Sequence, residues 1–502
     1  MERFVNMFSA MNLSKKDIKV HFVGIGGIGM SGIAEILLHL GCCVSGSDIS
    51  ENQNTAKLRD LRAEISIGHR AENIQGATGL VYSSAVDLQN NPEIISGHKK
   101  KIPLIRRAEM LALLMRLKYG IAVAGSHGKT TTTSFLATIL FEAKMDATHV
   151  IGGIVENLGG HARMGDGDLL VAEADESDGS FLLLSPMISI ITNIDDDHLD
   201  YYKSKTKLVN AFVNFANKVP FYGCCILNIH DEDSIRVSSR INRPLITFGI
   251  ECEGDDVSKN FSVNYLARNV RYLPDGALYD LYHDGKCIFA TRIMIPGRHN
   301  VLNSLGAIAA AHQLGIEFEV ILEAVKKFKG VSRRLELLYK RKFPERQTEI
   351  VIIDDYAHHP TEIANAVETT RKISTALTNQ RSKIVVVFEP HRYTRTMLCW
   401  DKFLHCFNYA DEVCILPIYA ASEKPIMGID SVKLVEDINI VHPQMAKYFD
   451  YFSKIEELVF NSLAGPSTLT DHDKVVFLFL GAGSIGKNVR ELVKSISEKF
   501  KT

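Results

Sequence analysis

Residues Tyr119 to Thr131 read Tyr-Gly-Ile-Ala-Val-Ala-Gly-Ser-His-Gly-Lys-Thr-Thr, an apolar run that breaks into a glycine turn ending in Lys129 and Thr130. This is the composition of a phosphate cradle. Glycines let backbone N–H groups converge on phosphate oxygens, and the start of a helix adds its positive end. A lysine reaches the outer phosphates, and the hydroxyl after it suits Mg²⁺. Gly125, Ser126, His127, Gly128, Lys129, Thr130 and Thr131 are therefore expected to bind ATP. The loop is a shortened G-x-x-G-K-T, because Val123 stands where the longer pattern has its first glycine.

Two further segments carry chemistry after apolar runs. Asp168-Leu-Leu-Val-Ala-Glu173 continues into Ala-Asp175-Glu-Ser177-Asp178, and Met187-Ile-Ser-Ile-Ile-Thr192 continues into Asn-Ile-Asp-Asp-Asp-His198. Ligands of an open parallel sheet bind beyond the carboxyl ends of its strands, which places Glu173 and His198 near the triphosphate. Near the start, Gly24-Ile-Gly26-Gly27-Ile-Gly29-Met30 follows a short strand, and Ser47-Asp48 closes the next one. A glycine turn with a distal acid suits any diphosphate, whether in a dinucleotide or in a UDP-sugar, and the pattern alone leaves both open. A third turn, Gly481-Ala-Gly483-Ser-Ile-Gly486, has only one helix's length of chain after it and lacks the second strand and acid of a dinucleotide unit.

The elements that position these residues alternate strand and helix through most of the chain, which predicts an α/β fold. Residues 250 to 292 instead show short alternating strands and turns, which read as a small β appendage. At 502 residues the chain exceeds a single core and suggests about three domains. Lys+Arg 57 against Asp+Glu 59 gives 57 − 59 = −2, so no global field draws it to nucleic acid or an anionic membrane. The nine cysteines are an odd count without a C-x-x-C, which predicts reduced thiols and a cytoplasmic protein. Residues 1–17 lack the continuous apolar segment of a secretory signal, and no later run approaches a membrane span.

Taken together, G-I-G-G-I-G-M-S-G-I-A (24–34), G-S-H-G-K-T-T-T (125–132), E-A-D-E-S-D (173–178), T-N-I-D-D-D-H-L-D (192–200), G-R-H-N-V-L-N (297–303), D-D-Y-A-H-H-P-T-E (354–362) and P-H-R-Y-T-R-T (390–396) closely resemble the Mur ligases. The resemblance runs in order from about residue 18 to 488. It implies a Rossmann-like N-terminal domain for a UDP-sugar (1–107), a central P-loop-type ATPase domain (108–328) and a Rossmann-like C-terminal domain for the incoming amino acid (329–502). It also implies ATP and Mg²⁺ as cofactors, and UDP-N-acetylmuramate and L-alanine as partners, in a monomer or weak homodimer. Two positions depart from the family pattern. Glu389 stands where a glutamine is usual, and Ser484 where an aspartate is common.

The implied reaction joins a carboxylate to an amine, which in water requires ATP to convert a carboxylate oxygen into a leaving group as an acyl phosphate. The resemblance then gives Lys129 to the transferring phosphoryl, Thr130 and Glu173 to a first Mg²⁺, and His198 to a second. It assigns Gly26, Gly27, Gly29, Met30, Ser47, Asp48, Ser83, Ser84, Asp175 and Ser177 to the UDP-sugar, and Asn300 and Asn303 to the adenine end. Arg334, His358, Arg392 and Arg395 fall to the amino-acid side. With these groups split among three blocks, domain closure on substrate binding is expected. A ligase that attaches a tripeptide to the same sugar remains an alternative, as does a nicotinamide-dependent dehydrogenase built on the first glycine turn. A nucleic-acid translocase is disfavoured by the neutral charge and the lack of a basic stripe with stacking aromatics.

Overall fold

Three sheets organise the computed structural model, which describes residues 18–500 apart from 84, 156–157, 159, 231, 252–262, 344–347, 376–381, 422 and 465–473. Ser84 and the first 17 residues thus lie outside the described residues. The chain divides into two compact units. One runs to Asn269 and includes Tyr279–Thr291 and Val301–Phe328; the other comprises Val270–Leu278, Arg292–Asn300 and the chain from Lys329 on.

The first sheet contains β1 (Lys19–Val23), β2 (Cys43–Asp48), β3 (Glu64–Ile67), β4 (Gly79–Tyr82) and β5 (Leu104–Arg106), in the order β3-β2-β1-β4-β5. Every neighbouring pair is parallel. Strand order reverses at β1, so a crevice opens beyond the carboxyl ends of β1 and β4, where such sheets bind ligands. Phe22 and Val23 are fully buried, as expected of a central strand covered on both faces.

The second sheet holds β6 (Tyr119–Ala124), β7 (Thr148–Val155), β8 (Gly160–Arg163), β9 (Leu169–Glu173), β10 (Ile188–Ile191), β11 (Cys224–Asn228), β12 (Leu245–Ile250), β13 (Tyr265–Leu273), β14 (Gly276–His283) and β15 (Lys286–Ile293). Its order is β8-β7-β9-β6-β10-β11-β12-β13-β14-β15. β6 lies between β9 and β10 and is parallel to both, so the three acidic or glycine-bearing strand ends share one edge. One apolar cluster running from Phe22 and Ile33 to Ala172 and Phe212 joins the first two sheets.

The short strands expected between residues 250 and 292 are present over residues 265–293, and β13 joins them to the central sheet by pairing in parallel with β12, with Phe248 opposite Tyr265. Tyr265, Ala277, Tyr279 and Leu281 are buried, and this apolar face carries the central sheet outward.

In the second unit, β16 (Glu336–Phe343), β17 (Thr348–Asp355), β18 (Ser382–Phe388), β19 (Glu412–Ile415), β20 (Ala446–Tyr448) and β21 (Lys474–Leu480) form a sheet in the order β16-β17-β21-β18-β19-β20. Only the β16–β17 pair is antiparallel. Alternate residues of the central strands feed two apolar clusters, one around Ile363 and Phe403 and the other around Ile455 and Val489. Helices on both faces thus give the Rossmann-like layering expected of this block.

Candidate active site

The phosphate loop begins where buried β6 ends. Gly128 has φ 82, and a β-carbon there would stand 2.4 Å from Asn303 Oδ1, so both its backbone and its neighbour demand glycine. Helix Lys129–Glu142 starts immediately after it. The segment after β10 stitches the loop in place: Thr192 Oγ1 donates to His127 O at 2.6 Å, His127 N donates to Asn193 Oδ1 at 2.9 Å, and Asp195 N donates to Ser126 Oγ at 2.9 Å. The His127 ring lies 3.0 Å from Asp195 Oδ2. Thr131 is buried in the helix, whereas Asn303 Oδ1 accepts from Thr132 Oγ1 at 3.2 Å. Asn300, on the same helix Arg298–Gln313, donates to Pro296 O at 2.7 Å.

Lys129 folds back over its own loop, with Nζ 2.6 Å from Gly125 O and 2.8 Å from Glu176 Oε1. Burial disfavours its charge, but Glu176, with Asp175 and Glu173 beyond it, raises the ammonium pKa above its ordinary value. Thr130 Oγ1 donates to Glu173 Oε2 at 3.1 Å, and Glu173 Oε1 accepts from Gly152 N at 2.5 Å. His198 Nε2 lies 3.5 Å from Glu176 Oε1 and 3.3 Å from Asp197 Oδ2. Burial lowers the imidazole pKa, yet Glu176 and Asp197 together raise it. His198 holds a left-handed backbone, φ 57.

Glu176 is the residue that sequence reasoning missed. It is 1% exposed, meets both Lys129 and His198, and its Oε2 has no hydrogen-bond partner among the described residues. Its backbone carbonyl also accepts from Tyr202 OH at 2.6 Å. The signal lay within E-A-D-E-S-D, but the turn geometry decides which of those acids faces the lysine.

The first glycine turn is tied to β2, since Gly24 N and Ile25 N donate to Ser47 O at 2.8 and 2.9 Å. Gly26 N donates to Asp48 Oδ2 at 2.8 Å. Gly27 O accepts from Met30 N at 3.0 Å, and the Met30 side chain is buried in the core. Ser83 Oγ lies beside Gly24, 3.9 Å from its β-carbon position. Beneath the turn, Glu93 accepts from Ser47 Oγ at 2.6 Å and Asn73 Nδ2 at 2.6 Å, and lies 3.7 Å from His21. Burial pushes this carboxyl up, but His21, Ser47 and Asn73 more than offset it and bring the pKa down to about 2. Over Gly29 lies the guanidinium of Arg107, which pairs at 3.3 Å with Asp175; Asp175 also accepts from Ser177 N at 3.1 Å.

In the second unit, the expected amino-acid residues converge beyond the ends of β17 and β18. Arg334 Cζ sits 5.4 Å from the Tyr356 ring centroid, and its Nη1 lies 3.7 Å from Glu362 Oε1. His358 Nδ1 lies 3.4 Å from Glu362 Oε2, and its ring meets that of His391 at 5.9 Å. Arg395 Nη1 reaches His391 Nδ1 at 3.4 Å, while Arg392 N donates to Tyr419 O at 2.8 Å. Burial, reinforced by Arg395 and Arg392, lowers the His391 pKa to about 4. Asp355, also missed, accepts from Leu335 N and Ala357 N at 2.7 Å each; burial raises its pKa to about 6 despite Arg334 nearby.

Comparison with known proteins bears on what this arrangement does. The Mur ligase family catalytic domain matches residues 19–119, the Mur ligase middle domain residues 123–311, and the Mur ligase glutamate ligase domain residues 333–482. The chain belongs to the Mur ligase family. Among curated Mur ligases, the UDP-N-acetylmuramate–L-alanine ligase of Solidesulfovibrio magneticus is 45% identical over 93% of this chain and 96% of its own. That of Syntrophotalea carbinolica is 45% identical over 84% of this chain and 87% of its own. The crystal structure of UDP-N-acetylmuramate-alanine ligase from Thermotoga maritima has TM-score 0.76 and 31% identity, covering 96% of this chain and 100% of that one. A murein peptide ligase from Psychrobacter arcticus shares the fold at 21% identity and TM-score 0.68, over 95% of this chain and 98% of that one. A Mur ligase is an ATP-dependent ligase, so the dehydrogenase reading of the first glycine turn falls. Among the described residues, no helix is long and apolar enough to cross a membrane.

Proposed function

We propose that this Mur ligase joins L-alanine to the lactyl carboxylate of UDP-N-acetylmuramate, forming ADP and phosphate, in the cytoplasmic synthesis of peptidoglycan precursors. The observation that carries the proposal is the pairing of Lys129 and His198 with Glu176, together with the Thr130–Glu173 pair, at the shared edge of β6, β9 and β10. The names of the curated relatives support the two substrates. The working domain boundaries are 1–107, 108–328 and 329–502.

Chemically, a carboxylate oxygen attacks the γ-phosphorus of ATP and ADP leaves; the free amine then attacks the acyl carbon and inorganic phosphate leaves. Lys129 would exchange Glu176 for the γ-phosphate, where its charge counters that developing on the transferring group. The hydroxyl of Thr130 beside the Glu173 carboxylate makes an oxygen pair that suits a hard cation. Thr130, Glu173 and His198 would hold Mg²⁺, which supplies charge neutralisation between phosphates and carboxylate. Arg334, His358, Arg392 and Arg395 in the second unit would receive the amino acid and stabilise the tetrahedral oxyanion. The protein acts as a monomer or weak homodimer, with no nucleic-acid or membrane partner.

Phosphate release with ATP-Mg²⁺, UDP-N-acetylmuramate and a panel of amines tests this function. L-alanine is expected to drive turnover, with the alanyl product seen by mass spectrometry. Turnover with a tripeptide and not L-alanine would favour the recycling ligase instead.

A further inference from the structure

The first glycine turn contains no basic side chain between Gly24 and Ala34, whereas the phosphate loop has its own cation in Lys129. The structure gives the first turn a cation from elsewhere. Arg107 opens helix Arg107–Met115 directly after β5, and its Nη1 and Cδ each lie 3.2 Å from the β-carbon position of Gly29. The guanidinium therefore rests on the first turn of helix Ile28–His39, where backbone geometry already favours an anion. A larger residue at Gly29 would occupy the arginine's place.

The same guanidinium holds Asp175 at 3.3 Å, with side chains 25% and 43% exposed. A partly exposed pair of this kind contributes little net free energy, so a ligand carrying more charge can displace the carboxylate. Asp175 also accepts from Ser177 N at 3.1 Å, and in sequence it stands between Glu173 and Glu176.

We propose that Arg107 binds the diphosphate of the UDP-sugar, exchanging Asp175 for it. The exchange frees Asp175 to accept from the sugar. It also removes a guanidinium from the acids beside Lys129, which links occupancy of the two glycine turns. This assignment rests on the UDP-sugar reading above, but it names a residue outside the sequence motifs and a bond that must break.

The test is Arg107→Met, with Arg107→Lys beside it in case the first does not fold. Binding of UDP and of uridine is measured by calorimetry without ATP, and KM is measured for all three substrates by phosphate release. Loss of one charged contact predicts a roughly 10- to 100-fold rise in UDP Kd and in KM for UDP-N-acetylmuramate. With UDP-N-acetylmuramate saturating, so that the guanidinium has left Asp175 in the wild type as well, KM for ATP and L-alanine should stay within about twofold, and uridine binding should not distinguish the variant from the wild type. Arg107→Lys should recover part of the loss, since it keeps the charge without the fork. Unchanged UDP affinity, or an equal loss for uridine, would overturn the assignment. The two readings separate cleanly: wild-type protein that turns over no UDP-N-acetylmuramate sinks the ligase function, whereas normal turnover with an unaffected Arg107→Met variant sinks only the role of Arg107.

Discussion

The first and third glycine turns share a sequence pattern and an arginine laid over them, yet they are built for opposite ends. At the first, Arg107 is partly exposed and faces an exposed carboxylate across the crevice edge. At the third, Arg333 fills the space beside Gly486, where a β-carbon would stand 2.4 Å from its Cζ, and donates to Gly481 O at 2.5 Å. Its other partner is Asp354, fully buried and also gripped by Arg490 at 2.5 Å. Arg490 also bonds Glu336 and so ties the last helix to the start of β16. The start of that helix is already served by an internal acid, since Glu389 accepts from Ser484 Oγ at 2.5 Å and Ile485 N at 3.4 Å. The glycine pattern therefore specifies a tight strand-to-helix turn in both places, and each turn is met by a carboxylate of the protein, Asp48 on Gly26 N at the first and Glu389 on Ile485 N at the third. The difference lies in the arginine, which at the first turn pairs with a partly exposed acid and at the third with a fully buried one.

This contrast can be broken by showing that damage at the third turn weakens substrate binding. Asp354→Asn leaves two arginines beside a buried neutral group, and removal of one partner from such a network costs about 3–5 kcal/mol. The expected outcome is a large fall in the urea midpoint with KM for the UDP-sugar unchanged. A rise in that KM at unchanged stability would erase the distinction.

A somewhat smaller effect should appear beneath the first turn. Glu93 has its pKa lowered from 4.5 to about 2. Its contribution is therefore present above pH 4.5 and is lost as pH falls from 4.5 toward 2, and the shift corresponds to about 3 kcal/mol. Glu93→Gln should lose about that much at pH 7, and the gap between variant and wild type should close as the pH drops through this window. A gap independent of pH would mean that packing, not charge, makes the site.

The smallest effect is expected at Glu389, whose carboxyl pKa is raised by burial, against the opposing hydrogen bonds of Ser484 and Ile485. A raised acid adds stability at low pH that is lost as pH climbs through the folded-state value. Glu389→Gln removes that cost at neutral pH and keeps an acceptor for Ser484. Stability should then change by no more than about 1 kcal/mol, with its acid-side slope flattened. A loss of several kcal/mol would show that the carboxylate itself is required.

Much of this was legible in the sequence. Central strands such as β6 and β21 are nearly continuous apolar runs because helices cover both faces, and the glycine turns mark where those strands end. β16 escaped notice, since Lys340, Arg341 and Lys342 give an edge strand a charged, loop-like appearance. Side-chain reach was also hidden. Nothing in Arg106-Arg107 distinguishes the residue that crosses to Gly29 from its neighbour, and no spacing rule picks Glu176 from the acids around it. The departures at Glu389 and Ser484 stand 95 positions apart in sequence, and only the fold brings them into one hydrogen bond.

The left-handed backbone at His198, φ 57, is one that histidine and asparagine both adopt more readily than most residues. His198→Asn therefore removes the ring while keeping the turn, so a fall in turnover at unchanged stability would belong to the imidazole alone.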